Sequence, residues 1–282
     1  MSTIEKDYYE NEAFWDGALF TEEDRERVAT VAARVPAVSS LLDVGCGNGF
    51  FLETLSGLRP EIAVLHGTDR SEAALRRVRV GKTSASIDSL PFSDGAFECV
   101  TCLEVIEHLP TAVYASAIQE LARVASRYIV VSVPREQDLT LGQVECEHCA
   151  TRFNPDYHFR SFGQSELEGL FSGLGYRCLG VEAYGTSHEY LFARTITRLK
   201  RDRRNRFPVD ILCVACGALM PGVGGGTPST TTPSTASQEA RGQGGGLKSL
   251  IKAVWPKRQE TRWLLAVFER QIAPASSRNA AT

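Results

Sequence analysis

The chain has 282 residues, which fits one α/β domain with insertions or two small domains. Hydrophobic residues make up 43% and charged residues 23%, and a formal net charge of −3 gives no overall field typical of a nucleic-acid-binding protein. No signal-peptide pattern and no apolar run of roughly 18 residues is present, so we expect a cytoplasmic protein whose eight cysteines bind metal or are buried rather than forming disulfides.

Helical and strand patterns alternate along the chain, which is typical of βαβ units and a mainly parallel sheet. The predicted helices are 4–16, 21–35, one opening near 49, 71–79, 111–125 and 164–174. The predicted strands are 39–44, 62–68, 83–87, 96–103, 127–133, 176–184 and 263–270.

The predicted N-terminal helices carry the aromatic residues Tyr8, Tyr9, Phe14 and Trp15. Two interpretations stay open for them. They form a lid over a bound ligand, or they pack in the core in the ordinary way.

The first strand leads into a glycine loop, Asp43-Val44-Gly45-Cys46-Gly47-Asn48-Gly49. Gly45 and Gly47 let the backbone turn sharply and pass close to a ligand, although a turn without a ligand is the alternative for such a loop taken alone. A dinucleotide fingerprint would place its third glycine at Phe50, so NAD is disfavoured. The spacing D-x-G-x-G-x-G resembles motif I of the class I S-adenosylmethionine (AdoMet) methyltransferases, which implies that Asp43, Gly45, Gly47 and Gly49 form part of an AdoMet site.

The next two strands add further expected cofactor contacts. Asp69 ends the second strand, where a carboxylate can accept both ribose hydroxyls, or can instead cap the helix predicted at 71–79. The stretch from Ser86 to Val100 resembles a block of small-molecule methyltransferases in which an acid binds the adenine amino group. Here Ser86 occupies that position and the carboxylate is displaced to Asp88, which leaves Ile87 to contact the ring.

The resemblance covers about residues 35–135. It implies a Rossmann-like, seven-stranded, mainly parallel sheet with an antiparallel last strand, and AdoMet as the cofactor. Leu103, at the end of the fourth predicted strand, is the remaining expected cofactor contact.

Directly after that strand, Glu104, Glu107 and His108 stand at i, i+3 and i+4, so one helical turn would place all three on one side. E-x-x-E-H resembles the metal-binding motif of small-RNA 2′-O-methyltransferases and of ubiquinone-pathway O-methyltransferases, which implies magnesium at the acceptor hydroxyls. A metal-free site is the alternative, with His108 and Glu107 as the catalytic residues, and so is a plain helix start.

Cys99 and Cys102 alternate along an apolar strand, which predicts burial rather than metal ligation.

The remaining cysteines form two C-x-x-C knuckles, Cys146 with Cys149 and Cys213 with Cys216. Together they offer the four ligands of a tetrahedral Cys₄ zinc site. This predicts a structural zinc that cross-links two inserted segments near the entrance for the acceptor. Free buried cysteines are the alternative. His158 is a reserve ligand, or it lines the acceptor pocket with Tyr157 and Arg160.

The region after the sixth strand changes composition. Residues 194–206 are basic and residues 221–247 are mostly Gly, Pro, Ser and Thr, which predicts a flexible loop, whereas 250–255 is amphipathic. The last strand is apolar enough to join the main sheet, so the loop interrupts a domain. We predict an N-terminal lid (1–35), the AdoMet-binding core (36–184), a zinc-binding insertion (185–260) and the last strand with its tail (261–282).

These features predict an AdoMet-dependent methyltransferase acting at an oxygen of a small-molecule or sugar-containing (glycan) acceptor. An RNA methyltransferase that uses the basic run and the knuckles is one alternative, although the acidic net charge disfavours a nucleic acid as partner. A non-catalytic binding protein on the same fold is another. The acceptor's identity and the oligomeric state do not follow from the sequence.

Overall fold

The computed structural model describes residues 9, 10, 12, 15, 21–141, 143–190, 211–220 and 257–271. Most of the helix predicted at 4–16, the basic run 194–206, the loop 221–247 and the amphipathic segment 250–255 lie outside these residues. Within the described part of the chain, no helix is long and apolar enough to span a membrane.

Five α-helices and eleven strands are described, together with short 3₁₀ helices at Ile106–His108 and Ser172–Leu174. The helices are α1 (Glu22–Arg34), α2 (Phe50–Leu58), α3 (Glu72–Leu75), α4 (Thr111–Val124) and α5 (Gln164–Glu168). The strands of the main sheet are β1 (Ser40–Val44), β2 (Val64–Asp69), β3 (Gly81–Ser84), β4 (Phe97–Leu103), β5 (Ala125–Pro134), β8 (Tyr176–Tyr190) and β11 (Lys257–Arg270). Two small hairpins are β6 (Val144–Glu145) with β7 (Arg152–Phe153), and β9 (Ile211–Leu212) with β10 (Leu219–Met220).

The main sheet has the order β3-β2-β1-β4-β5-β11-β8. Its strands β1 to β5 are parallel, and β11 lies antiparallel between β5 and β8. The predicted Rossmann-like, seven-stranded sheet with an antiparallel last strand is therefore confirmed, as is the placement of 263–270 in that sheet.

Helices cover both faces of the sheet, so its central strands are buried on either side. One core cluster contains Val28 and Val31 of α1 with Leu52 of α2, and the other contains residues of α4 and α5. Cys99 belongs to the first cluster and Cys102 to the second, and both are fully buried. The predicted burial of these two thiols on opposite faces is confirmed.

Several predicted boundaries differ from the structure. The helices expected at 71–79 and 164–174 are short, and Gly169 and Gly173, which have low helix propensity, divide the second into α5 and a 3₁₀ turn. The third strand spans 81–84 rather than 83–87. The sixth strand does not stop at 184, because Gly185 lets β8 pass close to Trp263 of β11. An added Cβ at Gly185 would lie 2.1 Å from Trp263 Cε3.

Candidate functional site

A cavity of about 200 Å³ opens where β1, β2 and β4 end at their carboxyl termini. Ligands of open α/β sheets bind at this edge. The cavity is lined by residues from five segments of the chain, namely Tyr9, Trp15, Val44, Gly45, Gly47, Thr68, Asp69, Arg70, Ala85, Ser86, Ile87, Glu104, Val105, His108 and Leu109. Five of the eight expected cofactor contacts thus line one cavity together with two of the residues expected at the acceptor.

The glycine loop forms one side of the cavity, and its backbone conformation explains the residue type. Gly45 and Gly47 have φ values of +76° and +52°, which side chains rarely tolerate. A Cβ at Gly45 would lie 2.4 Å from Val105 Cγ2, and one at Gly47 would lie 3.2 Å from Trp15 Cη2. Gly49 lies outside the cavity lining and is the N-cap of α2.

Two other expected cofactor contacts lie beside the cavity rather than in its lining. Asp43 is 3% exposed, and the Thr101 hydroxyl donates to its Oδ1 at 2.6 Å. Burial raises the pKa of Asp43 to about 7. Leu103 is partly buried and packs against the core cluster that contains α1 and α2.

Asp69 faces the cavity and also supports the loop. The Gly47 N–H donates to its Oδ2 at 2.9 Å, and the Ser71 N–H donates to its Oδ1 at 2.8 Å. The N-cap of α3 is Ser71, whose hydroxyl accepts from Ala74 N at 3.1 Å. The capping alternative for Asp69 is therefore wrong, and each of its oxygens keeps a lone pair beyond these two bonds.

At the opposite wall, Ser86 and Ile87 follow β3. The Ser86 hydroxyl donates to Asp88 Oδ1. The carboxylate of Asp88 is therefore hydrogen-bonded to the residue that stands where the resemblance would place an acid. Ile87 is 8% exposed, and its side chain forms an apolar surface of the lining.

Tyr9 and Trp15 cover the cavity from the N-terminal side. Trp15 Nε1 donates to Tyr9 O at 2.7 Å, and the Ser71 hydroxyl donates to the same carbonyl oxygen at 2.7 Å. Both aromatic side chains line the cavity, as the lid interpretation expects. Tyr8 and Phe14 lie outside the described residues.

The segment after β4 differs from its prediction. Glu104 has a φ of +56° and only Ile106–His108 forms a short 3₁₀ turn, so the expectation that one helical turn presents Glu104, Glu107 and His108 together is wrong. Glu104 Oε1 accepts from the Ser132 hydroxyl at 2.7 Å. Because the single Ser132 proton is used there, the Tyr184 hydroxyl donates to Ser132 Oγ, also at 2.7 Å.

The group that the structure brings together is Glu107, His108 and His158, whose ligand atoms lie within 4.8 Å of one another. The two imidazole rings are 4.4 Å apart. Both Glu107 oxygens and His108 Nδ1 are buried without a hydrogen-bond partner among the described residues. Such orphaned polar atoms are rare in folded proteins, which indicates a functional site.

The electrostatics of this group follow from burial. Burial and the nearby Glu104 raise the pKa of Glu107 well above its usual range, and burial lowers the pKa of His108 well below its own. Burial also lowers the pKa of His158 to about 4. Both imidazoles are therefore neutral at neutral pH, so one nitrogen of each ring carries a lone pair.

Cys146, Cys149, Cys213 and Cys216 form a second cluster, with all four sulfurs within 4.8 Å of one another. Cys146 Sγ lies 3.7 Å from Cys216 Sγ, and Cys149 Sγ lies 3.6 Å from Cys213 Sγ. These distances are far longer than a disulfide bond. Hairpins β6–β7 and β9–β10 each carry one knuckle, and we call them together the Cys₄ hairpins.

Arg160 and Gln137 complete the surroundings of His158. Arg160 lies 3.7 Å over the Tyr114 ring and donates to Ile106 O at 3.4 Å. Gln137 Oε1 pairs with His158 Nδ1. Sequence reasoning missed Gln137, Ser132 and Tyr184, because no motif marks residues that meet only in the folded chain.

A family model described as a methyltransferase domain matches residues 19–181. The ubiquinone biosynthesis O-methyltransferase of Thiobacillus denitrificans is 35% identical over 108 residues, which cover 34% of this chain and 44% of that protein. Its counterpart from Alkalilimnicola ehrlichii is 37% identical over 93 residues, covering 29% of this chain and 36% of that protein. The matches thus span less than half the length of these curated relatives.

The fold also has a solved counterpart. A SAM-dependent methyltransferase from Archaeoglobus fulgidus superposes with a TM-score of 0.51 at 14% sequence identity, covering 87% of this chain and 94% of that chain. At this identity the likeness concerns the fold alone.

Proposed function

The chain belongs to the methyltransferase domain family, and from this premise we propose that it transfers a methyl group from AdoMet to an oxygen of a small-molecule or sugar-containing acceptor. One observation carries the proposal. A single cavity is lined both by residues expected to bind AdoMet and by Glu104 and His108, which are expected at the acceptor.

The cavity lining fits AdoMet. The bare backbone at Gly45 and Gly47 leaves room for the amino-acid end, which a side chain at either position would fill. Asp69 would accept from the ribose hydroxyls, and Ser86 with Ile87 would contact the adenine. Asp43 and Gly49 would hold the loop from below, and Leu103 would support the cavity floor through the core. When bound, AdoMet supplies a methyl group activated by its sulfonium.

Oxygen is the proposed acceptor atom because the curated relatives are named O-methyltransferases. A hydroxyl is a weak nucleophile, so its methylation needs a group that takes the proton. His108 lines the cavity, is held neutral by burial and has a free Nδ1, which makes it our proposed base. The Glu107 carboxyl lies beside it and would stabilise the imidazolium that forms.

Magnesium, which the motif resemblance implies, fits this group less well. Magnesium prefers oxygen ligands, whereas the cluster offers one carboxylate and two imidazoles. Glu104, the second expected carboxylate, is hydrogen-bonded to Ser132 instead. We therefore derive no step through magnesium.

The Cys₄ hairpins fit a structural zinc. Four thiolates at zinc–sulfur distances of about 2.3 Å in a tetrahedron are about 3.8 Å apart. The sulfur–sulfur distances of 3.6 and 3.7 Å agree with this value. Bound zinc would cross-link the two hairpins, and four sulfurs would leave it no open position for substrate or water.

We also propose the domain division into a lid (1–35), a core (36–184), an insertion (185–260) and a last strand with its tail (261–282). The lining role of Tyr9 and Trp15 supports a lid. The pairing of β8 up to Tyr190 with β11 from Lys257 suggests that the insertion begins and ends nearer these two residues.

Two measurements test the proposal. Calorimetry measures AdoMet binding, and a transfer assay follows the labelled methyl group of AdoMet into fractions of a small-molecule extract. We expect one AdoMet to bind per chain and the methyl group to be transferred to a small molecule. This transfer should persist in excess chelator. Gly47→Val should abolish binding because its side chain meets Trp15, whereas Gly57→Val, at an open position on α2, should not. Asp69→Ala should weaken binding by roughly 2–3 kcal/mol.

Three outcomes would contradict parts of this proposal. Absence of AdoMet binding in the folded wild-type chain would refute the methyltransferase function. Label appearing in RNA instead of small molecules would favour the RNA alternative. Loss of transfer in chelator that added magnesium alone restores, with AdoMet binding and zinc content intact, would refute the metal-free base.

A further inference from the structure

Tyr157 lies in the small core of the Cys₄ hairpins. Its side chain is 5% exposed and packs with residues of both hairpins, including Ile211 and Met220. Its ring stacks on Phe153 of β7, with centroids 6.2 Å apart and planes inclined by 11°. The side chain of Tyr157 is therefore part of the hairpin unit rather than of the methyltransferase core.

The Tyr157 hydroxyl binds the second hairpin at one residue. It donates to Leu212 O at 3.2 Å and accepts from Leu212 N at 2.9 Å. Leu212 directly precedes Cys213, so the hydroxyl holds the strand that delivers the second pair of sulfurs. Because both backbone groups of Leu212 use the same hydroxyl, removing that oxygen breaks two hydrogen bonds.

The backbone of Tyr157 faces the candidate active site. Its φ is +59°, a left-handed conformation that is unfavourable for a non-glycine residue and persists only where the surroundings hold it. A backbone hydrogen bond joins Tyr157 to the His108 ring. Since His108 Nδ1 has no partner among the described residues, this bond uses Nε2 and keeps the Nδ1 lone pair for the acceptor.

The residues that follow Tyr157 continue this contact. His158 places its ring 4.4 Å from the His108 ring, and its Nδ1 pairs with Gln137 Oε1. Since an amide oxygen can only accept, Nδ1 of His158 carries the proton and Nε2 does not. The Phe159 N–H donates to Glu107 O at 2.9 Å.

From these contacts we infer that Tyr157 is a positioning residue that couples the Cys₄ hairpins to the tautomers of His108 and His158. Its side chain is fixed by the hairpins, and its backbone and the next residue fix the two imidazoles. The inference rests on the proposed function, in which the hairpins hold zinc and His108 is the base. It extends that function by giving the hairpins a role in the chemistry.

The test is the Tyr157→Phe variant of the full chain, examined by two-bond ¹H–¹⁵N NMR of its histidine rings at a pH above their titration. The chain has five histidines, so each ring can be assigned. In the wild type we expect His108 with its proton on Nε2 and His158 with its proton on Nδ1. In Tyr157→Phe both should become tautomer mixtures, whereas His66, which pairs with Thr83 far from the hairpins, should be unchanged.

Tyr128→Phe is the matched control, because the Tyr128 hydroxyl, in a buried side chain outside the Cys₄ hairpins, donates to Glu269 Oε1 at 3.3 Å. It should leave all five histidine patterns unchanged. AdoMet affinity should be unchanged in both variants, since neither tyrosine lines the cavity. Methyl transfer should fall in Tyr157→Phe alone.

Single, unchanged tautomers of His108 and His158 in folded Tyr157→Phe would overturn the inference. Zinc content and AdoMet binding are measured on the same samples, so a failure of the proposed function is seen separately. A wild type without AdoMet binding refutes that function, and a zinc-free wild type refutes the zinc site, whereas the histidine spectra still decide the coupling. If the variant does not fold, Leu212→Pro is the second variant. It removes the N–H that donates to the Tyr157 hydroxyl, together with the Leu212 side chain, and the same spectra are expected.

Discussion

Asp43 is a buried carboxyl group whose protonation should change the stability of the free protein. Its pKa is raised by burial to about 7, against an ordinary value of 3.8. Between these values the folded chain holds a proton that the unfolded chain has lost, so the free energy of unfolding falls as pH rises from about 4 to about 7. The contribution changes by about 1.4 kcal/mol per pH unit and is constant above pH 7.

Asp43→Asn should lack this contribution. We expect the stability of the variant relative to the wild type to increase from pH 4 to pH 7, as measured by urea unfolding without AdoMet. Glu53→Gln, which replaces an exposed carboxyl on α2 by an amide, is the control for the same chemical change at the surface. A wild-type and Asp43→Asn difference that is independent of pH would contradict the assignment.

At the residue scale, spacing alone was enough to predict the local geometry of the glycine loop, whereas its binding of AdoMet stays a prediction. Gly45 and Gly47 have the left-handed backbone that a glycine loop requires, and Asp69 faces the cavity next to them. Glu104 failed because the i, i+3, i+4 rule holds only inside a helix, and its φ of +56° takes it out of one. His158 replaces it through tertiary contact, which no spacing in the sequence encodes.

At the scale of elements, the Cys₄ hairpins are the units whose stability should depend on metal. Cys213→Ser should lose the zinc, about one ion per chain in the wild type, because three thiolates and a hydroxyl bind it far more weakly. Hydrogen exchange should then accelerate in 144–153 and 211–220 before it changes in the main sheet. Metal analysis and exchange measured by mass spectrometry check both statements.

Cys178→Ser is the control, since that half-buried thiol on β8 lies outside the cluster. It should keep both the zinc and the exchange pattern. Full zinc content in Cys213→Ser would show that these sulfurs are not the ligands.

Strand prediction was reliable because the buried strands are apolar runs with clear ends. Helices were less so: α3 and α5 are only four and five residues long. Their length is set by packing and by glycines such as Gly169 rather than by periodicity. The extension of β8 beyond 184 could not be seen from the sequence, because it depends on Trp263 fitting over Gly185.

At the scale of the whole molecule, β11 holds the sheet together. It pairs with β5 from Trp263 to Glu269 and with β8 along its full length, and it buries Leu264, Leu265 and Phe268. A chain ending at residue 256 should therefore lose cooperative unfolding and AdoMet binding. A chain ending at residue 271, which keeps the strand, should retain both.

Circular dichroism melts and calorimetry distinguish these two truncations. A cooperative transition in the shorter chain would show that the sheet is stable without β11. The seven-stranded sheet with its antiparallel last strand followed from the resemblance, and the approach of the two knuckles, which stand on either side of β8 in the sequence, followed from their matching C-x-x-C pattern. The order of the strands required the complete fold.

The central position of β11 also has a consequence for synthesis on the ribosome. The chain is made from its N-terminus, so β8 leaves the exit tunnel long before the strand that separates it from β5. Until β11 follows, β5 and β8 expose unpaired edges, and direct pairing between them is a competing arrangement. The number of residues between β8 and β11 therefore determines how long β5 and β8 stay unpaired during translation.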